Sequence, residues 1–424
     1  MIKKNYLDVY KKYEFDLQKI REELGLEKLK IFDSFCGIGA LHQSFKEFGF
    51  PIELIGVSEV DVDVIISYAI GHVEGYLENE NTFNYPTEQK MREYLMSINV
   101  GWDFKKKKSS IPRLKKDKLY KCYRACIMMN NLGDISTLDP NEIEDFDMFN
   151  FSFPCINISV AGNQEGFEDE NGKITSSGLY VYGINIIKTK KPKFIMIENV
   201  KNLIQKKFIN DFYDIVKEIE ELGYKCYYPT KNGKPTCLNA KDYGIPQNRE
   251  RIFVICIRND IPINLEFPKG FDSGLRLKDI LEEPVDEIFY LSQEIQNRFK
   301  RNNSKDVMSN KVNTVGTTAP EFRTIGQRDI VYGINGVMGT LVATDYKQPK
   351  QIIDVSNNKV RKLTPKECWR LMGFRDEFID KCIDYGYELF KGKKHIFSPG
   401  CVVRYPLNNS ILKHISQKIR SIEL

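Results

Sequence analysis

Cys155 is the residue of this sequence around which covalent chemistry could be built. The run 147–151 predicts a buried strand, and Pro154 would end the hydrogen-bond ladder of that strand. Cys155 would therefore stand where the strand opens into a loop, at the edge where open α/β sheets bind their ligands. A cysteine after a proline is also common as an inert packing residue, so this stretch alone leaves both interpretations open.

Further polar side chains stand at the ends of other apolar strands. One uninterrupted apolar run ends in Glu198, and a buried carboxylate is costly unless it has a partner, which favours a functional role for this acid. Later in the chain, Gln247, Arg249 and Arg251 occupy alternate positions as a strand begins, so a period of two predicts that they share one face. Structural ion pairing is the alternative role of the two arginines.

The first part of the chain has the pattern of a nucleotide-binding fold. A strand-like run leads into Gly37 and Gly39 and then into a helical pattern, and such glycines let a ligand approach backbone N–H groups at the start of a helix. A second strand ends in Glu59, where an acid could accept both hydroxyls of a ribose. A solvated acid at a strand end fits the same spacing. Asp134 ends a later strand and could accept an amine of the ligand.

The composition is that of a globular protein with two unequal domains. The 424 residues are 42% hydrophobic, and the net charge of +5 is too small to identify a partner. The ten cysteines form no CxxC pair and the chain has only four histidines, which predicts reduced thiols in a cytosol and no metal site. Neither a signal-peptide core nor an apolar run of about 18 residues occurs, so the sequence predicts neither secretion nor a membrane span.

Residues 72–130 form a long basic insert between two predicted core strands. Lys105 and Lys106 begin a run of four lysines, and aromatic residues are interleaved with basic ones further along. This pattern suits contact with a phosphate backbone. A run of charges is also commonly a solvated face, and the sequence does not decide between the two.

Together these stretches resemble the cytosine-C5 DNA methyltransferase family of bacteria and phages. Five short motifs occur in the family's order: Asp33–Gly39, Pro154–Cys155, Glu198–Val200, Gln247–Arg251 and Arg361–Phe374. The resemblance implies an α/β fold, with a Rossmann-like S-adenosylmethionine-dependent methyltransferase domain and a smaller target-recognition domain. The expected boundaries are 1–28 for a helical extension, 29–265 for the catalytic domain, 266–394 for the recognition domain and 395–424 for a segment that returns to the catalytic domain.

The resemblance also implies a covalent mechanism on a cytosine flipped out of double-stranded DNA. Cys155 would add to C6 of the base, so that C5 becomes nucleophilic and takes a methyl group from S-adenosylmethionine. Glu198, as a protonated carboxyl, would neutralise the charge that develops toward N3. Arg251 would hold O2 of the base, and Arg249 would support the nucleophile loop.

Two sets of binding residues complete the expected site. The cofactor residues implied by the resemblance and the strand ends are Phe35, Gly37, Ile38, Gly39, Glu59, Val60, Asp134, Ile135, Pro154 and Leu179. The expected DNA contacts are Ser159, Gln247, Lys105, Lys106, Arg323, Gln327 and Arg328. Two positions depart from the family pattern, because Ile156 replaces a glutamine and Cys401 replaces an asparagine.

The expected protein is a monomeric DNA (cytosine-5-)-methyltransferase of the cytoplasm, associated with the nucleoid through DNA. It would act in a restriction-modification system beside a cognate endonuclease, or as an orphan methylase. Two alternatives stay open. One is a transfer-RNA cytosine methyltransferase of the same fold. The other is a catalytically silent DNA-binding relative, which the departures at Ile156 and Cys401 suggest.

Overall fold

The computed structural model describes residues 27–47, 51–78, 80–103, 107–159, 165–262, 264–267, 269–342, 345, 348–354 and 356–385. These residues form two compact units. The large unit comprises the described residues up to 238 and those from 250 to 267, and the small unit comprises 239–249 and the described residues from 269 onward. Lys105, Lys106 and Cys401 lie outside the described residues, as do positions 1–26 and 395–424.

The large unit is built on a seven-stranded sheet. Its strands are β1 (Leu29–Ser34), β2 (Ile52–Ser58), β3 (Met148–Phe151), β4 (Phe194–Val200), β5 (Tyr224–Tyr227), β6 (Leu238–Asn239) and β7 (Glu250–Arg258). Their order is β6-β7-β4-β3-β1-β2, and β5 pairs with β7. The pairs β1–β2, β1–β3 and β3–β4 are parallel, whereas β7 is antiparallel to β4 and β5. The four parallel strands therefore end at one edge of the sheet.

Helices alternate with these strands and cover the sheet. They are α1 (Ala40–Glu47), α2 (Val62–His72), α3 (Glu88–Ser97), α4 (Lys116–Met128), α5 (Tyr180–Lys190) and α6 (Ile209–Glu221). All four residues of β3 are buried, because both faces of a central parallel strand are covered. The core joins Phe151 of β3 and Ile197 of β4 with Ile187 of α5 and Phe212 of α6. This arrangement confirms the predicted Rossmann-like α/β fold.

The basic insert 72–130 is a packed part of the large unit. It contains α3, a hairpin of the strands Trp102–Asp103 and Lys108–Ser109, and α4. Arg124 of α4 has no exposed surface; its guanidinium lies 4.5 Å from the ring centre of Tyr76 and donates a hydrogen bond to the Tyr85 hydroxyl at 2.9 Å. Part of the positive charge of the insert is therefore structural. The exposed basic residues among those described include Lys107, Lys108, Arg113, Lys115 and Lys116.

The small unit has a five-stranded sheet in the order β8-β9-β10-β11-β12. These strands are β8 (Lys300–Arg301), β9 (Thr314–Thr317), β10 (Ile330–Tyr332), β11 (Gln351–Asp354) and β12 (Lys359–Lys362). Its helices are α7 (Gln293–Asn297), α8 (Pro365–Leu371) and α9 (Asp376–Asp384). Buried Arg361 donates to both carboxylate oxygens of Glu367, at 2.8 and 2.7 Å. This ion pair joins β12 to α8.

Residues Asn239–Arg249 group with the small unit, although the sequence predicts the change of domain only at residue 266. The side chains of this segment explain the difference. The amide of Gln247 donates to the carbonyl of Leu371 at 2.7 Å and accepts from the N–H of Leu341 at 3.0 Å. The two-residue strand Gln247–Asn248 also pairs with Met338–Gly339. Such contacts between distant segments are not visible in the local pattern of the sequence.

The prediction that all cysteines are reduced is wrong for one pair. Cys226 of β5 and Cys256 of β7 form a disulfide, with 4.1 Å between their Cα atoms. The antiparallel register places the two residues directly opposite each other. The other seven described cysteines are not part of a disulfide. Over the same part of the chain, no helix is long and apolar enough to cross a membrane.

Candidate active site

The turn after β1 carries the first group of predicted cofactor residues. Phe35, Gly37 and Gly39 have left-handed backbone angles, with φ of 52°, 55° and 79°. A Cβ at Gly39 would lie 2.5 Å from Cδ2 of His72, so glycine is required there by both space and backbone angle. Nε2 of His72 also donates to the carbonyl of Ile38 at 3.0 Å. Helix α2 therefore fixes the shape of the turn.

Glu59 directly follows β2, and its carboxylate connects the end of β2 to the turn after β1. Its carboxylate accepts hydrogen bonds from the backbone N–H groups of Gly37, Val60 and Asp61 at 3.2, 2.8 and 3.0 Å. Burial raises the pKa of Glu59 to about 7, against the opposing effect of these hydrogen bonds. The predicted cofactor residues after β1 and after β2 are thus brought together by one carboxylate.

Asp134 lies on the neighbouring segment, which Asn131 holds in place. The predicted strand before Asp134 is not formed, because this segment has only one bridge residue, Asn131, opposite Val57. Asp134 caps the 3₁₀ helix Ile135–Thr137, and its Oδ1 accepts from the N–H of Ser136 at 3.0 Å. The buried amide of Asn131 accepts from the N–H of Glu59 at 3.1 Å and donates to the carbonyl of Glu59 at 3.0 Å. The sequence alone does not single out Asn131, because nothing in the local pattern indicates that its partner lies 72 positions earlier.

Cys155 lies half-buried in the loop after β3, as the sequence predicts for the end of that strand. Its carbonyl accepts from the N–H groups of Ile158 and Ser159, at 3.2 and 2.7 Å. The buried amide of Asn199, at the end of β4, donates to the carbonyl of Phe153 at 3.3 Å. This bond ties the segment that carries the thiol to the strand that carries Glu198.

Glu198 and Arg251 form a buried ion pair beside this loop. Nε of Arg251 lies 3.1 Å from Oε1 of Glu198, and the side chains are only 10% and 5% exposed. In the antiparallel register, Arg251 lies opposite Val200 and is therefore diagonal to Glu198 on the same face. Breaking such a pair would leave a buried charge without compensation. The carboxylate thus has the partner that its burial requires.

The chain after the thiol is anchored through Asn157. Its Nδ2 donates to the Glu165 carboxylate at 2.7 Å, and its Oδ1 accepts from the Ser176 hydroxyl at 2.6 Å. Leu179, a predicted cofactor residue, is the last residue of the 3₁₀ helix Ser177–Leu179, directly before α5. Ile156, the replacement for the family's glutamine, is 58% exposed.

Two predicted site residues are buried inside the small unit. Gln247 and Arg249 have no exposed surface. The Gln247 amide bonds to backbone groups, as described above, and Arg249 donates from Nη1 to the carbonyl of Leu341 at 3.1 Å. Gln247 is therefore buried and hydrogen-bonded within the small unit, and its predicted contact with DNA stays a prediction. Arg251 belongs to the large unit, so the three alternate residues are divided between the units.

One turn of the small unit carries three further predicted DNA contacts, Arg323, Gln327 and Arg328. Gln327 and Arg328 are exposed. Arg323 donates from Nη2 to Oδ1 of Asp329 at 2.7 Å, and the N–H of Gly326 donates to Oδ2 of the same carboxylate at 2.8 Å. Although burial opposes it, these hydrogen bonds hold the pKa of Asp329 below its ordinary value. Arg323 therefore shapes the turn that presents the other two side chains.

Comparison with known proteins identifies the family of this chain. The family model described as C-5 cytosine-specific DNA methylase matches residues 89–382, which include the thiol, the buried acid and its arginine. The chain belongs to this family. It is a DNA cytosine-5 methyltransferase, as the sequence motifs predict.

Individual relatives of this DNA methyltransferase agree with the family match. The Type II methyltransferase M2.ScrFI of Lactococcus lactis subsp. cremoris is 36% identical over 361 residues, which are 83% of this chain and 90% of that protein. The Type II methyltransferase M.HhaI of Haemophilus parahaemolyticus is 34% identical over 58% of this chain and 71% of its own length. The solved Entamoeba histolytica methyltransferase EhMeth covers 93% of the chain and 99% of its own, with a TM-score of 0.52 at 14% identity, and so supports the fold alone.

Proposed function

We propose that this methyltransferase uses S-adenosylmethionine and acts through Cys155 on a cytosine flipped out of double-stranded DNA. The observation that carries the proposal is the bond from Asn199 to the Phe153 carbonyl, at 3.3 Å. It ties the loop that carries the half-buried Cys155 to the strand that carries the buried acid, Glu198. A thiol to attack the base and an acid to manage its charge are the two groups that the reaction needs.

The residues at the other strand ends fit the proposed cofactor. Two glycines with left-handed backbone angles form the tight turn after β1 that would border the cofactor. Phe35 offers an aromatic face for the adenine, Glu59 offers acceptors for the ribose hydroxyls, and Asp134 offers an acceptor for the adenine amine. When bound, S-adenosylmethionine supplies an electrophilic methyl group on a sulfonium sulfur.

The residues of this chain carry out the other steps of the proposed reaction. The Cys155 thiolate forms a bond to C6 of the base, and the electron pair of the C5–C6 double bond shifts toward N3 and O2. Glu198 places a proton at N3, and Arg251 lies beside Glu198 to stabilise the charge at O2. After C5 has been methylated, the C5 proton passes to water, N3 returns its proton to Glu198, and the C6–S bond breaks, which releases the Cys155 thiolate and restores the aromatic ring.

We further propose that the small unit is the target-recognition domain. Gln327 and Arg328 are exposed side chains of the kind that contact base edges and phosphates. Ser159 would contact DNA beside the thiol, and Lys105 and Lys106 of the insert would contact phosphates. The relatives include Type II methyltransferases and the orphan methyltransferase M.SssI of Spiroplasma monobiae, so action beside a restriction endonuclease and action alone are both consistent with the family.

Bisulfite sequencing of a mixed-sequence plasmid tests this function. We expect incubation with the enzyme and S-adenosylmethionine to protect cytosines in one recurring sequence context. The same incubation with Cys155→Ala should protect none. A wild-type reaction that protects no cytosine, or a Cys155→Ala reaction that protects the same sites, would contradict the proposal.

A further inference from the structure

The basic insert reaches the predicted adenine side of the cofactor site. Directly after α3, the carbonyl of Ile98 accepts from the N–H of Asp134 at 3.0 Å, and Nδ2 of Asn99 donates to Oδ2 of Asp134 at 3.2 Å. A Cβ at Gly133 would lie 1.8 Å from the Ile98 carbonyl oxygen. The turn after α3 and the Asp134 segment are therefore in direct backbone contact.

The same turn also touches the segment that carries Glu59. The N–H of Gly101 donates to the carbonyl of Val60 at 2.7 Å. Residues 98–101 of the insert are thus bonded to both of the segments whose acids are proposed to bind the cofactor. This position is unexpected for an element whose sequence indicates only a phosphate-binding or solvated face.

Asn99 determines how the Asp134 carboxylate is held. Asp134 is 4% exposed, and one of its oxygens accepts from its own 3₁₀ turn, through Ser136 N–H, while the other accepts from Asn99. A carboxylate has about four lone-pair positions, so acceptor capacity is left for a ligand. Without the Asn99 amide, one oxygen would lose the hydrogen bond that sets its orientation.

We propose that Asn99 is a positioning residue that holds Asp134 for the amine of the adenine, and that the insert forms part of the cofactor site. The inference rests on the proposed use of S-adenosylmethionine. Asparagine suits this position for two reasons. Its backbone is left-handed, with φ of 56°, a conformation that asparagine adopts more readily than most side chains, and its amide provides the donor.

The left-handed backbone makes Asn99→Gly a clean test, since glycine keeps the turn and removes only the amide. Binding of S-adenosylhomocysteine, measured by isothermal titration calorimetry, should weaken about threefold to tenfold, the size of one ordinary hydrogen bond, because Asn99 acts on the ligand only through Asp134. The KM for S-adenosylmethionine should rise by the same factor, with kcat unchanged. Binding of the inosine analogue, which lacks the amine, should change less. Asn99→Asp should weaken adenine binding further, because two carboxylates would face each other.

Asn130→Gly is the matched control. Asn130 also has a left-handed backbone, with φ of 48°, and donates from its side chain, to the Ile55 carbonyl at 2.8 Å. This variant loses a comparable hydrogen bond and should keep the preference for adenine over the inosine analogue. The inference is overturned if Asn99→Gly binds both ligands as the wild type does, or if Asn130→Gly lowers the preference equally. A wild type that binds neither ligand would instead overturn the proposed cofactor.

Discussion

Glu59 and Glu198 stand at the ends of two parallel strands of the same sheet, yet their carboxylates have different partners. The Glu59 carboxylate accepts from three backbone N–H groups, and burial raises its pKa to about 7. Glu198 instead lies 3.1 Å from the guanidinium of Arg251. In the proposed function, backbone donors hold the Glu59 carboxylate for the neutral hydroxyls of a ribose, whereas the Arg251 guanidinium beside Glu198 would stabilise the charge that develops on the base. Under this proposal, a glutamate serves binding at the end of β2 and chemistry at the end of β4.

Glu198→Gln should slow the chemical step and leave cofactor binding unchanged. The amide cannot give a proton to N3, so kcat should fall about 10²-fold to 10⁴-fold, the usual range for loss of a general acid. The KM for S-adenosylmethionine should stay close to that of the wild type. Steady-state kinetics on a methylatable duplex measures both constants. A variant with wild-type kcat would remove Glu198 from the mechanism.

Arg251→Met should show how much the ion pair contributes to the stability of the protein. It leaves the Glu198 charge buried without its cation, which costs about 3–5 kcal/mol of stability for a broken buried pair. Denaturant unfolding at neutral pH measures this cost. Arg251→Lys keeps the charge without the planar fork and should lose less. Equal stability of all three proteins would mean that the pair is not formed in solution.

Glu59→Gln should affect binding and spare the chemistry. We expect the KM for S-adenosylmethionine to rise about tenfold, since a hydrogen bond to a charged group contributes about 1.5 kcal/mol or more, with little change in kcat. Glu59→Gln should therefore change mainly KM, and Glu198→Gln should change mainly kcat. A fall in kcat equal to that of Glu198→Gln would show that the two acids do not have separate roles.

The pKa of Glu59 adds a smaller effect that depends on pH. The ionised carboxylate is the better acceptor for ribose hydroxyls, so binding below the pKa of about 7 must first release a proton. The KM for S-adenosylmethionine should therefore be constant above pH 7 and rise by up to about tenfold per pH unit below it. Glu59→Gln should show a flat profile. A wild-type profile that is flat from pH 6 to 8 would contradict this role.

Some features of the fold and of the candidate site can be predicted from the sequence, and others cannot. The apolar strands, the left-handed glycines after β1 and the acid at the end of β4 follow from local pattern, because each depends on the few residues around it. The roles of Asn131 and Asn99 cannot be predicted from local pattern, since their partners are set by how distant segments fold together. Gln247 illustrates the same limit. Its alternation with the arginines predicts a shared face, but contacts with Leu341 and Leu371 bury it in the small unit.

The disulfide between Cys226 and Cys256 depends on strand register in the same way. The two residues are 30 positions apart and meet only because β5 and β7 pair antiparallel. Composition alone indicated reduced thiols, because it contains no information about which cysteines face each other.

Covalent trapping tests the central claim, that Cys155 bonds to the target base, most directly. DNA that carries 5-fluorocytosine in the methylated context blocks release, since the fluorine that replaces the C5 proton cannot leave as a cation. With S-adenosylmethionine present, the wild type should give a protein–DNA band that survives denaturing electrophoresis, and Cys155→Ala should give none. The claim would be contradicted by a wild type that methylates cytosine without forming this band, or by a Cys155→Ala protein that still forms it.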